Sequence, residues 1–272
     1  MTLREIEETL RQSGVPDARF DALQLAASFT GRTSASLLAS REEILSGAGL
    51  EEAVRRRASR EPLQYILGTW DFMGGTYEVS PDCLIPRADT ETLVEEALRL
   101  AKPGDKIADL CTGSGCIAVS VAERVRCTVT AVELFPKTAA IAGRNAARHG
   151  VADRVKIVVG DVCRDVFEDG ECFNMILSNP PYVTAEEMAS LEPELSFEPR
   201  AALTDGGDGL SILRAIIDMY PAHLAPGGVM LLEHGSGQGA AVRDMAKKQG
   251  LSAETIRDTA GRERCTRICR MQ

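Results

Sequence analysis

Short apolar runs alternate with amphipathic stretches through the middle and end of the chain, and this alternation limits the possible folds more than any other feature of the sequence. The alternation predicts strands at 107–110, 127–133, 155–160, 173–177 and 229–233 and helices at 89–100, 117–122, 137–149 and 210–224. Strands that alternate with helices usually form a parallel, doubly wound sheet with helices on both faces. The predicted fold class is therefore α/β and Rossmann-like, and residues 251–271 are expected to add a terminal hairpin or strand pair.

The first 62 residues show helical periodicity instead. Thr2 and Glu5 form a capping-box pattern in front of an apolar face, and a second helix is predicted between Asp17, as its cap, and Gly31. Further short helices are predicted at 35–38 and 50–60. The last of these carries a run of arginines, which indicates either a solvated helix face or a docking surface for an RNA-associated partner. The arginines of this run are Arg55, Arg56, Arg57 and Arg60.

Between these helices and the alternating region, aromatic and β-branched residues are interrupted by glycines, which predicts a β-hairpin at 63–86. Trp70, Phe72 and Tyr77 are expected to pack within it. The chain is thus expected to consist of a small, all-helical N-terminal domain at 1–62, a β-hairpin linker at 63–86 and an α/β domain at 87–272.

Composition excludes several functional classes. The formal net charge of −9 argues against a protein that grips nucleic acid by bulk electrostatics. The eight cysteines contain no Cys-x-x-Cys pair, so neither a zinc site nor a disulfide framework is indicated. His149, His223 and His234 lack the spacing of a metal site and are predicted to be surface or capping residues, so no metal is expected. No membrane span or signal peptide is apparent, and a cytoplasmic location is predicted.

Residues 109–115, DLCTGSG, directly follow the first predicted strand of the alternating region and open a helix. Gly113 and Gly115 allow a tight turn and a close approach to a ligand, while the helix N-terminus offers free amides. The loop lacks the third glycine of the dinucleotide fingerprint and the lysine of a P-loop. A loop or helix-capping carboxylate is the alternative interpretation of Asp109.

Two acidic residues end the following strands. Glu133 ends the second strand, about twenty residues after the glycine loop, where a carboxylate can accept hydrogen bonds from both hydroxyls of a ribose. Asp161 ends the third strand and is placed to contact the edge of an adenine. A nucleoside-containing cofactor is therefore expected at the carboxyl ends of these strands.

The fourth strand ends in residues 179–182, NPPY. Proline fixes its own φ and holds the preceding residue extended, so Asn179 and Pro180 are expected in a stiff turn. This motif could simply be a rigid loop after an edge strand. Its position after the glycine loop and two acidic strand ends favours a functional interpretation.

This ordered set resembles the class I methyltransferases that use S-adenosylmethionine, and NPPY resembles the element of those that methylate a planar amide or amino nitrogen. Four further stretches resemble the peptide chain release factor N5-glutamine methyltransferases, the HemK/PrmC family. These stretches are REPLQYILG at 60–68, LIPRADTE at 84–91, EPRAAL at 198–203 and DGGDGL at 205–210. The resemblance covers essentially the whole chain, including the helical domain and the hairpin.

The resemblance implies a cofactor, S-adenosyl-L-methionine, and a set of site residues. The implied cofactor-binding residues are Asp109, Cys111, Thr112, Gly113, Ser114, Gly115, Glu133, Asp161, Val162 and Asn179. The implied substrate-binding residues are Asn179, Pro180, Pro181 and Tyr182, of which Asn179, Pro180 and Tyr182 are expected to be catalytic. Three positions depart from the family pattern: Cys111 replaces a glycine, Val162 stands where some relatives have an aromatic residue, and Glu133 replaces the commoner aspartate.

In the chemistry that the resemblance implies, the Asn179 side-chain oxygen and the Pro180 carbonyl oxygen accept the two protons of an amide NH2. The implied partner is a class I release factor, methylated at the glutamine of its Gly-Gly-Gln motif by a monomeric enzyme. No membrane association and no sequence-specific nucleic-acid binding are expected. A ribosomal-protein glutamine methyltransferase, an adenine-N6 nucleic-acid methyltransferase and a catalytically silent nucleotide-binding or scaffold module remain the alternatives. Glu198 and Arg200 are expected to form an ordinary ion pair near the substrate loop.

Overall fold

The computed structural model describes residues 1–270, which divide into two compact units. The helical unit contains Met1–Thr69 together with a short segment, Glu192–Phe197. The sheet unit contains Trp70–Leu191 and the chain from Glu198 onward. Within 1–270, no helix is both long enough and apolar enough to cross a membrane.

The helical unit has five helices: α1, Leu3–Gln12; α2, Ala18–Thr30; α3, Ser34–Ala39; α4, Leu50–Ala58; and α5, Leu63–Leu67. The predicted capping box is present, because the Thr2 hydroxyl accepts from the Glu5 amide at 3.2 Å and the Glu5 carboxylate accepts from the Thr2 amide at 2.9 Å. Helix α2 begins after Asp17, but the Asp17 side chain makes no capping hydrogen bond. It ends at Gly31 in the left-handed conformation, as predicted.

The arginine run of α4 is partly internal, so the prediction of a solvated face is wrong for Arg57. Its side chain is only 6% exposed and donates to Asp21 at 2.6 Å and to Glu194 at 2.9 Å. Arg60, beyond the end of the helix, also donates to Glu194, at 2.7 Å. The arginines therefore hold the 192–197 segment to the helical unit through a buried ion-pair network.

The sheet unit begins with the predicted hairpin, whose strands are shorter than expected: β1, Thr69–Phe72, and β2, Gly75–Glu78. Residues 63–67 of the predicted hairpin are instead helix α5. Tyr77 is fully buried, as the packing prediction required, and its hydroxyl lies 2.7 Å from the Ser120 hydroxyl. The ring of Tyr77 also stacks on His149 at a centroid distance of 4.5 Å.

His149 is the C-cap of the helix Pro136–Arg148, which agrees with the prediction of surface or capping histidines, but the prediction is wrong for the other two. The side chain of His149 is 8% exposed, and His223 and His234 are buried. His223 bonds Asp165 and the Glu171 carbonyl, and His234 lies 2.9 Å from the Thr266 hydroxyl. Hydrogen bonds and ring stacking satisfy their polar atoms inside the protein.

The main sheet has seven strands in the order β5-β4-β3-β6-β7-β9-β8. The strands are β3, Lys106–Leu110; β4, Thr128–Glu133; β5, Val155–Val159; β6, Phe173–Ser178; β7, Leu224–Glu233; β8, Leu251–Arg257; and β9, Glu263–Arg270. Strands β3 to β7 are parallel, and β9 runs antiparallel to both β7 and β8, which confirms the predicted terminal strand pair. Met271 lies outside the described residues.

The flanking helices are α6, Glu91–Leu100; α7, Cys116–Arg124; α8, Pro136–Arg148; α9, Arg200–Leu203; α10, Ser211–Met219; and α11, Gly239–Lys248. Two apolar clusters lie against the sheet, one including Ile107 and Leu177 and the other Ala108 and Ile176. Neighbouring residues of each strand thus face different clusters, which explains the continuous apolar runs. The chain adds β4 and β5 on one side of β3 and then crosses to add β6 and β7 on the other side. Doubly wound sheets bind ligands at such a reversal of strand order.

Candidate active site

The glycine loop follows β3 and leads into α7 through three residues in the left-handed conformation: Cys111 at φ 62°, Gly113 at 58° and Gly115 at 80°. A Cβ on Gly115 would lie 3.0 Å from the Cβ of Ala142, so glycine is required there for packing as well as for φ. Cys111 adopts the same conformation with a side chain, which is unfavourable for a non-glycine residue. The loop therefore keeps the glycine-type turn despite its departure from the family pattern.

Asp109 lies inside β3 and is completely buried. One carboxylate oxygen, Oδ2, accepts from the Thr112 hydroxyl at 2.5 Å and from the Ala118 amide, in the first turn of α7, at 3.2 Å. The other oxygen, Oδ1, has no hydrogen-bond partner. Burial raises the pKa of Asp109 to about 7. Asp109 thus accepts from a first-turn amide of α7, as an N-cap side chain does, and its Oδ1 remains an unused acceptor.

Glu133 is the last residue of β4 and ties that strand to the glycine loop. Its carboxylate accepts from the Gly113 amide at 3.0 Å and from the Phe135 amide at 3.1 Å. A carboxylate has about four acceptor positions, so Glu133 retains acceptor capacity for a ligand beside its bonds to backbone amides. Burial raises the pKa of Glu133. The additional methylene of glutamate does not prevent this residue from reaching the loop.

The NPPY element begins directly after β6. The side-chain nitrogen Nδ2 of Asn179 donates to the Thr90 hydroxyl at 3.0 Å, and both prolines are buried. The Tyr182 hydroxyl donates to Glu233 at 3.4 Å, and its carbonyl accepts from Gln238 at 3.0 Å. The backbone is thus held by prolines and the side chains by hydrogen bonds.

A pocket in the sheet unit, with about 830 Å³ of empty volume that includes open solvent, brings much of the predicted site together. Among the predicted site residues, its walls include Cys111, Thr112, Gly113, Ser114, Glu133, Asn179 and Pro181. The predicted residues that do not line it are Asp109, Gly115, Asp161, Val162, Pro180 and Tyr182. Asp161 accepts from the Cys163 amide at 2.9 Å, and Val162 is buried in the core.

Sequence reasoning missed several residues of this pocket. Thr90 bonds Asn179, and the exposed apolar residues Leu134 and Phe135 follow Glu133. These two side chains are 48% and 43% exposed, respectively, and they form an apolar wall beside the carboxylate. An apolar pair immediately after an acidic strand end is the sequence signal that could have revealed them.

The ion pair expected between Glu198 and Arg200 is not the one formed. Glu198 is buried, pairs with Arg87 and accepts from the Ile85 amide at 3.1 Å. This joins two of the family-like stretches, 84–91 and 198–203, at the edge of the pocket, which Arg87 and Pro199 line. Glu198 therefore helps to build the pocket wall.

In residues 1–270, no group of three or more potential ligands among the histidines, cysteines, aspartates and glutamates is arranged to hold a metal ion. Within residues 1–270, none of the eight cysteines forms a disulfide.

Comparison with known proteins agrees with the fold. Residues 2–68 match the family model of the PrmC N-terminal domain, and residues 88–219 match that of the methyltransferase small domain. Among solved structures, a methyltransferase from Pyrococcus furiosus is similar with a TM-score of 0.55 and 21% identity, over 72% of this chain and 89% of that one. A ribosomal protein L11 methylase from Lactobacillus delbrueckii subsp. bulgaricus is similar with a TM-score of 0.51 and 20% identity, over 68% of this chain and 81% of that one. At these identities the likeness shows the fold alone.

The sequence relatives are much closer. A release factor glutamine methyltransferase from Salmonella typhimurium is 42% identical over 97% of this chain and 96% of its own length. A release factor glutamine methyltransferase from Geobacter sulfurreducens is 40% identical over 94% of this chain and 90% of its own length. The chain therefore belongs to the family of release factor glutamine methyltransferases.

Proposed function

We propose that the chain transfers the methyl group of S-adenosyl-L-methionine to the side-chain amide nitrogen of the glutamine in the Gly-Gly-Gln motif of class I release factors. The observation that carries this proposal is that Asn179 lies in the same pocket as the glycine loop and Glu133. One pocket can then hold a nucleoside-containing methyl donor and an amide acceptor side by side. The names of the relatives support the choice of acceptor.

The residues present fit this cofactor. Glu133 retains acceptor positions suited to ribose hydroxyls, and Leu134 and Phe135 offer an apolar surface suited to a base. Contacts from Asp161 and Val162 to the adenine remain part of the proposal.

When bound, the cofactor supplies a methyl group on a sulfonium sulfur, an electrophile that needs no metal. The amide nitrogen of glutamine is a poor nucleophile, because its lone pair is delocalised into the carbonyl group. The side-chain oxygen of Asn179 and the carbonyl oxygen of Pro180 can accept hydrogen bonds from the two amide N–H groups and aim the nitrogen at the methyl group. As the new carbon–nitrogen bond forms, the bond from the methyl group to sulfur breaks, a neutral thioether leaves, and one amide proton is released to solvent. Pro180 and Pro181 keep these acceptors rigid. Tyr182 offers a flat ring against the planar amide and helps to exclude water.

We further propose that residues 1–62 bind the release factor, that 63–86 form a linker and that 87–272 carry the chemistry. The enzyme is expected to act as a cytoplasmic monomer, without membrane association or sequence-specific nucleic-acid binding.

The decisive experiment is a radiolabelled methyl-transfer assay. Purified release factor, its variant with alanine in place of the Gly-Gly-Gln glutamine, a ribosomal protein fraction and unmethylated DNA are compared in parallel. Label on the wild-type release factor alone supports the proposal. Label only on DNA or on ribosomal protein leaves the fold standing and overturns the acceptor, and absence of both cofactor binding and transfer favours a silent binding module.

A further inference from the structure

The far end of the NPPY element is bonded by a side chain from another loop. Proline has no backbone N–H group, so Pro180 and Pro181 stiffen the turn but cannot donate hydrogen bonds that would fix it to its surroundings. The near end continues from β6, where the Ser178 hydroxyl donates to the Leu110 carbonyl at 2.7 Å. A stiff turn that is held at one end can still pivot about that end. The position of the whole element therefore depends also on the contacts of its last residue, Tyr182.

Gln238 bonds the Tyr182 carbonyl from the turn before α11. Its side-chain nitrogen, Nε2, donates to that carbonyl at 3.0 Å and to the Gly209 carbonyl at 3.4 Å. Its side-chain oxygen, Oε1, accepts from the Gly235 amide at 2.9 Å. Backbone carbonyls only accept and backbone amides only donate, so these three partners fix which way round the Gln238 amide lies. None of these groups titrates.

The backbone of Gln238 is fixed as well, and two glycines leave room for its side chain. Its own backbone amide donates to the Gly235 carbonyl at 2.9 Å, and its carbonyl accepts from the Val242 amide of α11 at 3.0 Å. A Cβ on Gly235 would lie 3.1 Å from Oε1, and a Cβ on Gly209 would lie 2.9 Å from Nε2. Both distances are shorter than ordinary contact, which begins at 3.4 Å. The Gln238 side chain is therefore closely packed between the two loops that it bonds.

The stretch that supplies the second carbonyl, DGGDGL at 205–210, is held by its own hydrogen bonds. The Asp205 carboxylate accepts from three backbone amides at 2.8 to 3.0 Å, those of Gly207, Gly209 and Ser211. The chain directly after NPPY runs against this stretch, because the Ala185 amide donates to the Gly207 carbonyl at 2.9 Å. Gln238 thus ties the Tyr182 carbonyl to an ordered frame on two sides.

We propose that Gln238 is a positioning residue for methyl transfer, which bonds the Tyr182 carbonyl and so fixes the direction in which the NPPY element presents the acceptor amide. This inference rests on the proposed function for its catalytic consequence, but the hydrogen bond to Tyr182 can be measured without any turnover. Gln238 is not among the residues that line the pocket, so it acts through the NPPY backbone and not by contact with the reacting atoms.

Two substitutions and a matched control separate this role from stability. Gln238→Glu keeps the shape but turns a carboxylate oxygen towards two carbonyl oxygens, and Gln238→Met keeps the length of the side chain without a donor. Gln249→Glu is the control, because Gln249 caps the other end of α11, is exposed and also donates through Nε2, to Asp218 at 2.7 Å. The control carries a stability cost of its own, since the helix dipole disfavours a carboxylate at the end of a helix. Denaturant unfolding compares the variants and identifies any that fails to fold.

In the kinetic test, both Gln238 variants should lower kcat by about tenfold to a hundredfold, because a displacement of about 1 Å near reacting atoms is sufficient for such a loss. The Kd of S-adenosylmethionine should change by less than about twofold, and Gln249→Glu should leave kcat within about twofold of the wild type. Wild-type kcat in both Gln238 variants, or an equal loss in Gln249→Glu, would overturn the proposal. The assay uses whichever acceptor the wild-type enzyme methylates, so a wrong release-factor assignment does not affect it.

The hydrogen bond itself is read by NMR. The bond between Tyr182 and Val183 is the only tyrosine–valine peptide bond in the chain. Labelling tyrosine with ¹³C at its carbonyl and valine with ¹⁵N therefore gives a single correlated signal, which reports the Tyr182 carbonyl. A hydrogen bond deshields a carbonyl carbon, so this signal should move to lower frequency in Gln238→Met and stay in place in Gln249→Glu. An unmoved signal in Gln238→Met refutes the positioning role, even if the protein proves to methylate nothing.

Discussion

Replacing Gly209 with alanine should impair methyl transfer without disturbing the cofactor site. Gly209 lies in the DGGDGL stretch with φ at 71°, and a Cβ there would be 2.1 Å from the carbonyl oxygen of Tyr182 and 2.8 Å from its carbonyl carbon. Ordinary contact begins at 3.4 Å, so the Tyr182 backbone must move by more than about 1 Å. A displacement of this size near reacting atoms costs about a hundredfold in rate.

The glycine loop and Glu133 lie on other strands and should be unaffected, so the Kd of S-adenosylmethionine should stay within about twofold. The matched control is Gly206→Ala in the same stretch. Gly206 has φ at 80°, but its Cβ would meet nothing within 4 Å. Both variants carry the backbone strain of a left-handed alanine, about 1 to 2 kcal/mol, and only Gly209→Ala carries the clash.

The assay is single-turnover methyl transfer at saturating cofactor, with calorimetry for cofactor binding and denaturant unfolding for stability. We expect Gly206→Ala to be destabilised but active, and Gly209→Ala to be both destabilised and slow. Equal kcat in the two variants would refute the inference that contact with Gly209 positions Tyr182. A large loss of cofactor affinity in Gly209→Ala would show that the clash is relieved by movement of a different part of the site.

Three further predictions address separate parts of the molecule. Asn179→Ala should lower kcat by about a hundredfold to a thousandfold with little change in cofactor affinity. Glu133→Ala should instead weaken cofactor binding first. Equal losses of cofactor affinity in the two variants would contradict the assigned roles. The pKa of Asp109 is raised to about 7, far above its unfolded value near 4, so its proton is retained in the folded state and the free energy of unfolding should fall as pH rises from about 4 to about 7. Between pH 5 and pH 8 this contribution is about 2 to 3 kcal/mol, and Asp109→Asn should remove it; identical pH profiles in denaturant unfolding would argue against the raised pKa. Arg57→Met should lower the free energy of unfolding by about 3 to 5 kcal/mol, because it leaves two carboxylates without their buried partner. Arg55→Met, at an exposed position, should change it by less than about 1 kcal/mol. Similar losses in both variants would disprove the buried network.

The order of strands and helices in the sheet unit was predictable from the sequence because its signals are local. Apolar runs, helical periodicity and flanking glycines each extend over a few residues, and every strand predicted from 107 onward is present. The part of the site at strand ends was predictable for the same reason. Gly113, Glu133 and Asn179 each follow or end a strand, and a parallel sheet brings those ends to one edge.

Several of the missed features depend on pairing between distant parts of the chain. Asn179 and Thr90 are 89 residues apart, and Arg57 and Glu194 are 137 apart. A run of arginines gives no indication of which member will turn inward, because that depends on where a distant carboxylate lies. The same limit explains His223 and His234, which were expected to be surface or capping residues and are buried against partners that no local pattern reveals.

The polar groups of the pocket also bear on which kind of acceptor it can serve. Among its lining residues in the described part of the chain, there is no histidine, and the carboxylates are Asp82 and Glu133. Glu133 is already engaged with the glycine loop and Asp82 lies near Thr138, to whose hydroxyl its carbonyl is bonded at 2.5 Å. The carboxylates with a pKa raised to about 7, Asp109 and Glu233, are buried and do not line the pocket.

An acceptor that must lose a proton before attack, such as a hydroxyl or a protonated amine, needs a base within hydrogen-bonding reach. An amide nitrogen is uncharged and instead needs its two protons held and its direction fixed. Asn179 lines the pocket next to a rigid diproline, an arrangement that fits the amide acceptor of the proposed function. The polar groups of the pocket therefore fit the acceptor chemistry that the family resemblance implies.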